Sequence, residues 1–412
     1  MSGSISNRPA GLSDPIVWAI LTAAAAVRLA VVLTCGTLGE DRDAYISLAD
    51  GLVNRGQYGV FGPTAFRPPL YPILIAPFEL FAPSAAGLLR GVLNVVCGVS
   101  TVALAADLGA SSGGRDAGRI ASGLAACSPL AVLYCGYSMT EIVCGCLLTT
   151  AVWLAMRCQR SGRLRDAVLL GLTLGLGALC RPTVWPAAFL VLLVLAADRR
   201  WRIVAVVAAA MVVTVSPWPI RNAVAMGSPT VLTTHGGYTL ALGNNDRFYD
   251  DVVHSDWGTV WTDGQSEWID AELAVAAARG VTGEHGLDAF HKTRAIEVVR
   301  RRPRDFAAAC WLRLRRFWSP VPVSASVGPA LGIALWTYGF TVIALVAVGS
   351  FRSTATWQTK LLLWAAPAAF CVVHLFYWSN ARMRLPIEPC LFVLAGLAAT
   401  RRSGQRPEVT GR

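Results

Sequence analysis

The sequence of 412 residues predicts an all-α polytopic membrane protein: a bundle of about ten transmembrane helices with a small outer-facing segment, α or α/β. Three observations predict it. Apolar residues make up 54% of the chain and charged residues only 15%, too apolar a balance for a soluble protein of this size. The apolar residues are gathered into blocks near the roughly 20 residues that cross a 30 Å hydrocarbon core. Arginine is concentrated in alternate short loops, as the positive-inside rule requires.

The predicted spans are 16–35, 88–108, 120–137, 141–158, 167–180, 183–197, 203–220, 329–350, 361–378 and 387–400. The first is too long for a signal-peptide core, has a nearly uncharged leader and is followed by further spans, so it is read as retained. Residues 70–82 are apolar but short and follow Pro68-Pro69, which predicts a re-entrant or surface segment. Arg115 and Arg119 share one loop, Arg157, Arg160, Arg163 and Arg165 another, and Arg199, Arg200 and Arg202 a third. With Arg352, Lys360 and the tail residues Arg401 and Arg402, all fall on the cytoplasmic side if the N-terminus is inside. The loop 36–87 and the long segment 221–328 then face outward.

Three parts follow: a membrane domain over 1–220 that includes the outer loop 36–87, an outer domain over 221–328, and a C-terminal membrane segment and tail over 329–412. The outer domain opens with Gly236-Gly237 and Gly243-Asn244-Asn245-Asp246, residues that favour strand ends and tight turns. It closes with helices over 286–301 and 304–318. The second puts Phe306, Cys310, Trp311, Leu314, Phe317 and Trp318 on one face, with Arg313, Arg315 and Arg316 off that stripe. Such a helix lies in the membrane interface or caps the bundle.

The chemistry-bearing residues gather on the outward side. Asp41 and Asp43 stand shortly after the first span and supply carboxylates for general-base work; Asp43 is also placed to cap a helix over 44–54. Arg67 precedes Pro68-Pro69, whose fixed φ stiffens the loop. Glu141, Arg181, Arg221, Arg382 and Arg384 lie at outer span ends, where an arginine binds phosphate in a planar fork or anchors to lipid headgroups. Arg28 sits inside the first span, where a charge needs a partner or a function. The eleven cysteines contain no C-x-x-C, and the five histidines show no metal spacing. The net charge of +11 is topology control and contact with anionic lipid, not a nucleic-acid surface.

These stretches resemble a known family. Asp43-Ala44-Tyr45-Ile46-Ser47-Leu48-Ala49, Gly56-Gln57-Tyr58-Gly59 and Arg67-Pro68-Pro69-Leu70-Tyr71-Pro72 are similar to the first outer loop of the GT-C membrane glycosyltransferases, closest to the bacterial branch of family 39, the dolichyl-phosphate-mannose protein mannosyltransferase-like group. Met139-Thr140-Glu141, the Gly175–Pro182 stretch, Pro217–Asn222 with Gly236-Gly237-Tyr238 and Gly243-Asn244-Asn245, and Arg382–Pro389 follow in the family's order. Met383 stands where relatives often carry tyrosine. The resemblance implies transfer of a sugar from a polyprenyl-phosphate donor to an envelope acceptor (lipid, polysaccharide or protein) at the outer leaflet of the plasma membrane. It assigns Asp43 as base, with Asp41 as substitute. Arg67, Arg181, Arg221, Arg382 and Arg384 become phosphate ligands, and Tyr45, Glu141, Asn244 and Asn245 further site candidates. A divalent metal at Asp43 and Glu141 is compatible with the motif but not required by it. A transporter or a non-catalytic envelope-assembly protein is the alternative; a transporter should show an internal repeat or paired broken helices, and the sequence has neither.

Overall fold

The computed structural model of the protein describes residues 11–321 and 328–400, so the tail arginines Arg401 and Arg402 lie outside the described residues. Helices account for all regular structure among the described residues. The chain enters the bundle by α1 (Pro15–Thr34), with Pro15 at its first position and the Asp14 carboxylate accepting from the Ile16 amide at 3.0 Å. Asp14 is buried and also accepts from Arg119 at 2.7 Å, which ties the start of α1 to a neighbouring helix.

A loop carrying α2 (Tyr45–Arg55) and α3 (Leu70–Phe81) leads to α4 (Ala86–Gly113) and α5 (Arg115–Cys127). The interface of α4 and α5 needs glycine: a Cβ on Gly109 or Gly118 would lie 2.7 Å from a backbone oxygen of the other helix. Next come α6 (Pro129–Tyr134), α7 (Glu141–Ser161), α8 (Leu164–Cys180), α9 (Val184–Ala197), α10 (Trp201–Val215) and α11 (Pro217–Met226). The outer segment contains α12 (Gly236–Gly243), α13 (Asp246–Phe248), α14 (Asp263–Ala278), α15 (Gly283–Arg301) and α16 (Pro303–Trp318). The chain then returns through α17 (Pro329–Arg352), α18 (Trp357–Phe376), a tight 3₁₀ turn over Ala381–Ile387, and α19 (Glu388–Gly396).

Every predicted span falls on helix, with 120–137 divided at Ser128 between α5 and α6, and six helices are long and apolar enough to cross a membrane by length and composition. The last of the others, α19, is short for a reason visible in the packing. All nine residues of α19 are buried, so protein and not lipid surrounds it, and its length need not match the bilayer. The α3 segment has twelve residues, about 18 Å, too short to cross. It packs Tyr71 and Ile75 inward beneath α2.

The loops sort into two ends. Arg200 donates to the Cys158 carbonyl, Arg160 to Ser111, and Gln358 to Asp198, so the arginine-rich loops share one end. Loops 35–69, 135–140 and 181–183, the segment 216–321 and the turn before α19 form the other, joined by contacts described below. Topology reporters fused at Gly162 and Gly264 should therefore report opposite sides of the membrane; the same side for both would overturn this arrangement.

The outer segment departs from expectation in two ways. Gly236-Gly237 does not form a turn between strands but opens α12, and the only regular structure among the segment's described residues is helix. Glycine is needed there because α12 packs closely on α15: a Cβ on Gly237 would lie 2.0 Å from the Asp288 carbonyl oxygen. In α16, Arg313 and Arg316 face inward, whereas Trp311 is exposed. The C-terminal carbonyls of α12 and α18 converge under α16, and a guanidinium has enough donors to satisfy several. Arg313 donates to Gly243 at 2.8 Å and to Phe376 at 3.2 Å. The helix thus caps the bundle. Arg28 has the same kind of role, donating to Ala125 and Ala126 carbonyls at the end of α5.

Candidate active site

The site is built at the end of the bundle away from the arginine-rich loops, from four strips of chain and from Arg181 at the end of α8. The first is the turn before α2. Asp41 caps this helix: its Oδ1 accepts from the Ile46 amide at 2.8 Å, and its Oδ2 from the Ser47 amide at 2.8 Å and hydroxyl at 2.6 Å. Asp43, for which capping was the competing expectation, is left free. Ala44 adopts left-handed backbone (φ 62), rare for a residue with a Cβ, and separates the capping carboxylate from the free one.

The second strip carries Arg67. Its loop is clamped from three sides. The Tyr58 hydroxyl lies 3.0 Å from the carbonyl oxygens of Arg67 and Pro68. Arg221 donates to the Thr64 and Tyr58 carbonyls, both at 2.8 Å. Glu284 accepts from the Thr64 hydroxyl at 2.8 Å and the Ala65 amide at 3.1 Å. The third strip, leading into Glu141, is held by Asn94 on the Cys135 and Tyr137 carbonyls and by Arg90 on Ser138. The fourth is the turn before α19, where the Asn380 side chain accepts from the Arg382 amide.

These strips bring two carboxylates and three guanidiniums together. Arg67 Nη2 lies 2.9 Å from Asp43 Oδ1, and Arg382 Nη1 lies 3.5 Å from Asp43 Oδ2. Arg181 Nη1 lies 3.0 Å from Glu141 Oε1, and Arg382 Nε lies 3.9 Å from the same oxygen. Arg382 therefore stands between the two acids. The cluster carries one positive charge in excess and is only partly open: Asp43 and Arg382 side chains are 17% and 23% exposed. Arg67 Nε, Arg382 Nε and Glu141 Oε2 have no hydrogen-bond partner, so the cluster holds donors not yet used. Burial pushes the Asp43 pKa up, but Arg67, then Arg382 and Arg181, outweigh it and hold the carboxyl below its ordinary 3.8. Tyr45 is buried beside Tyr71 with Arg67 over its ring, and burial pushes its phenol up to about 12.

A divalent metal fits these residues poorly. Among the described residues no three His, Cys, Asp or Glu side chains converge, and an arginine stands between the two carboxylates. The arrangement suits an anion.

Other expected site residues lie elsewhere. Arg221 clamps the Arg67 loop. Arg384 pairs with Glu388 at 3.0 Å and donates to the Phe317 carbonyl at 2.7 Å, joining α16 to α19. Asn244 donates to Leu240 and Phe376 and accepts from Arg313, while Asn245 accepts from the Phe248 amide. One neighbour of the cluster was not foreseen. His235 packs on Phe66 at 4.3 Å between ring centres, and burial, then Arg67, lowers its pKa to about 3, so it is neutral. Its place directly before Gly236-Gly237-Tyr238 was the available signal.

Residues 67–220 match the family of dolichyl-phosphate-mannose-protein mannosyltransferases. The fold is similar to that of an oligosaccharyltransferase from Archaeoglobus fulgidus tethered to an acceptor peptide, with a TM-score of 0.51 at 14% identity over 93% of this chain and 49% of that one. The apo form of that protein gives 0.50 at 16% identity, over 93% and 50%. The chain therefore shares the fold of this oligosaccharyltransferase, and its residues 67–220 carry the mannosyltransferase family match. ArnT from Cupriavidus metallidurans, bound to undecaprenyl phosphate, gives 0.47 at 12% identity over 93% and 77%. None of the curated proteins matches the chain. The chain spans about half the length of the archaeal proteins. The family match takes in Arg67, Glu141 and Arg181, while Asp43 and Arg382 join the cluster from outside it.

Proposed function

We propose that this chain is a glycosyltransferase of the plasma membrane that moves a sugar from a polyprenyl-phosphate carrier to an envelope acceptor at the outer leaflet. The observation that carries the reading is the Asp43 carboxylate held among Arg67, Arg382 and Arg181 at one end of a membrane bundle. The excess positive charge matches a sugar phosphodiester, and the unused guanidinium donors suit the charge that grows as the carrier phosphate departs. Asp43 takes the proton of the acceptor hydroxyl or amine while that atom attacks the anomeric carbon; the bond from that carbon to the phosphate oxygen breaks, and its electron pair leaves with the carrier phosphate.

A groove of about 640 Å³ supports a lipid-linked donor. It runs along α17 and α19, with Trp318 and Arg384 near one end, Val342 and Leu391 in its walls and Lys360 near the other. An apolar tail in such a groove keeps the sugar phosphate at headgroup level. The reading is tested in proteoliposomes: sugar should pass to acceptor from a polyprenyl-phosphate sugar and not from a water-soluble nucleotide sugar. Transfer from the nucleotide sugar without any lipid carrier would overturn it.

A further inference from the structure

A second cavity, of about 230 Å³, lies beside the arginine cluster in the outer segment. Its walls include Phe66, Tyr238 and Trp268, and Phe66 is the residue next to Arg67 in the chain. Leu273 also lines it and is 43% exposed. Polar side chains on α15 complete the lining. Asp288 Oδ1 accepts from the Gly237 amide at 2.6 Å, and among the described residues no donor reaches its other oxygen. His291 is only 6% exposed, and its Nδ1 is buried without a hydrogen-bond partner. A buried polar atom left unpaired is costly, so one on a residue that lines a cavity points to a group that completes it. Glu284 is engaged by Thr64, Ala65 and Thr234 and shapes the cavity floor.

We infer that this cavity is an acceptor subsite that takes one sugar ring of a saccharide acceptor. The inference rests on the glycosyltransferase reading for its place in the reaction, but not for binding itself. The volume is that of roughly eight waters at about 30 Å³ each, which suits a single pyranose and not a longer segment. Aromatic walls meet the C–H faces of a sugar ring, while Asp288 Oδ2 and His291 Nδ1 meet its hydroxyls. An apolar peptide side chain would leave both polar atoms unpaired. The position fits as well: Phe66 joins this cavity to the Arg67–Asp43 pair, so an acceptor seated there extends its reacting group toward the base.

Saturation-transfer NMR on the full chain in detergent, with methyl hexopyranosides as probes and N-acetyl-phenylalaninamide as the peptide-like control, tests the inference. At least one glycoside should show transfer to its ring C–H protons. Leu273→Trp fills the cavity from its partly exposed edge, with little demand on the core, and should weaken that binding by roughly tenfold or more. His291→Phe, which removes the nitrogen and keeps a ring, should weaken it also. Asp43→Asn should leave glycoside binding intact, so loss of transfer activity and loss of this subsite are separable results. Glycoside signals unchanged in Leu273→Trp, no glycoside signal in the wild type, or binding of the amide alone would each overturn the subsite.

Discussion

Asp43→Asn is expected to lower turnover by roughly 100-fold or more, the usual scale for losing a general base. Folding and carrier binding should survive, because asparagine keeps the shape of the side chain and Asp43 caps no helix. Asp41→Asn should behave in the opposite way. Asp41 satisfies two backbone amides of α2 and the Ser47 hydroxyl, so weakening that cap should cost about 1 kcal/mol of stability while turnover per folded molecule stays near wild type. Thermal unfolding and transfer assays on both variants check the pair. Wild-type turnover in Asp43→Asn would remove Asp43 from the chemistry.

Arg382→Met should lower turnover by roughly 100- to 1,000-fold, the range for removing one charged donor aimed at developing negative charge. Its side chain touches both acids, so its loss alters the whole cluster, whereas Glu141 keeps its pair with Arg181. Arg382→Lys keeps the charge but not the planar fork and should recover only part of the rate. Arg384, two residues on, should respond differently. It is paired with the buried Glu388 and is itself mostly covered, so its removal should show as a fall in stability of about 3–5 kcal/mol. Equal effects of the two arginines on turnover at equal stability would contradict the division of roles.

The bundle was legible because its signals are long and repeated. Each apolar block became helical, one of them in two pieces, and the arginine-rich loops do meet at one end. The pairing of Asp43 with Arg67 was foreshadowed by their shared loop, but their meeting with Glu141, Arg181 and Arg382 depends on packing between strips far apart in the chain. The resemblance put Asp43 first and Asp41 second as base, but the cap was expected at Asp43; the left-handed backbone of Ala44 gives that role to Asp41 instead. Arg382 and Arg384 looked equivalent in one motif, yet a tight 3₁₀ turn sends them to different partners. The inward arginines of α16 were hidden because a reading by hydrophobicity puts every charge outside. What overrides it is the set of helix-end carbonyls beneath Arg313, contributed by α12 and α18.

On the proposed reading Asp43 is the base, and the arginines holding it are the same ones that receive the carrier phosphate. In the free protein those cations keep the Asp43 pKa below its ordinary 3.8, so the carboxylate is charged but weakly basic. A bound phosphate draws the guanidiniums to itself and adds negative charge nearby, and both effects raise the Asp43 pKa. The most direct measurement is the pH dependence of kcat/KM and of kcat for transfer from a polyprenyl-phosphate sugar, since the first reports the free protein and the second the complex. A base is active above its pKa, so the acid limb of kcat/KM should lie below the ordinary aspartate value and that of kcat at distinctly higher pH, and both limbs should vanish in the residual activity of Asp43→Asn. Coincident limbs, or an acid limb of kcat that persists in Asp43→Asn, would contradict the account.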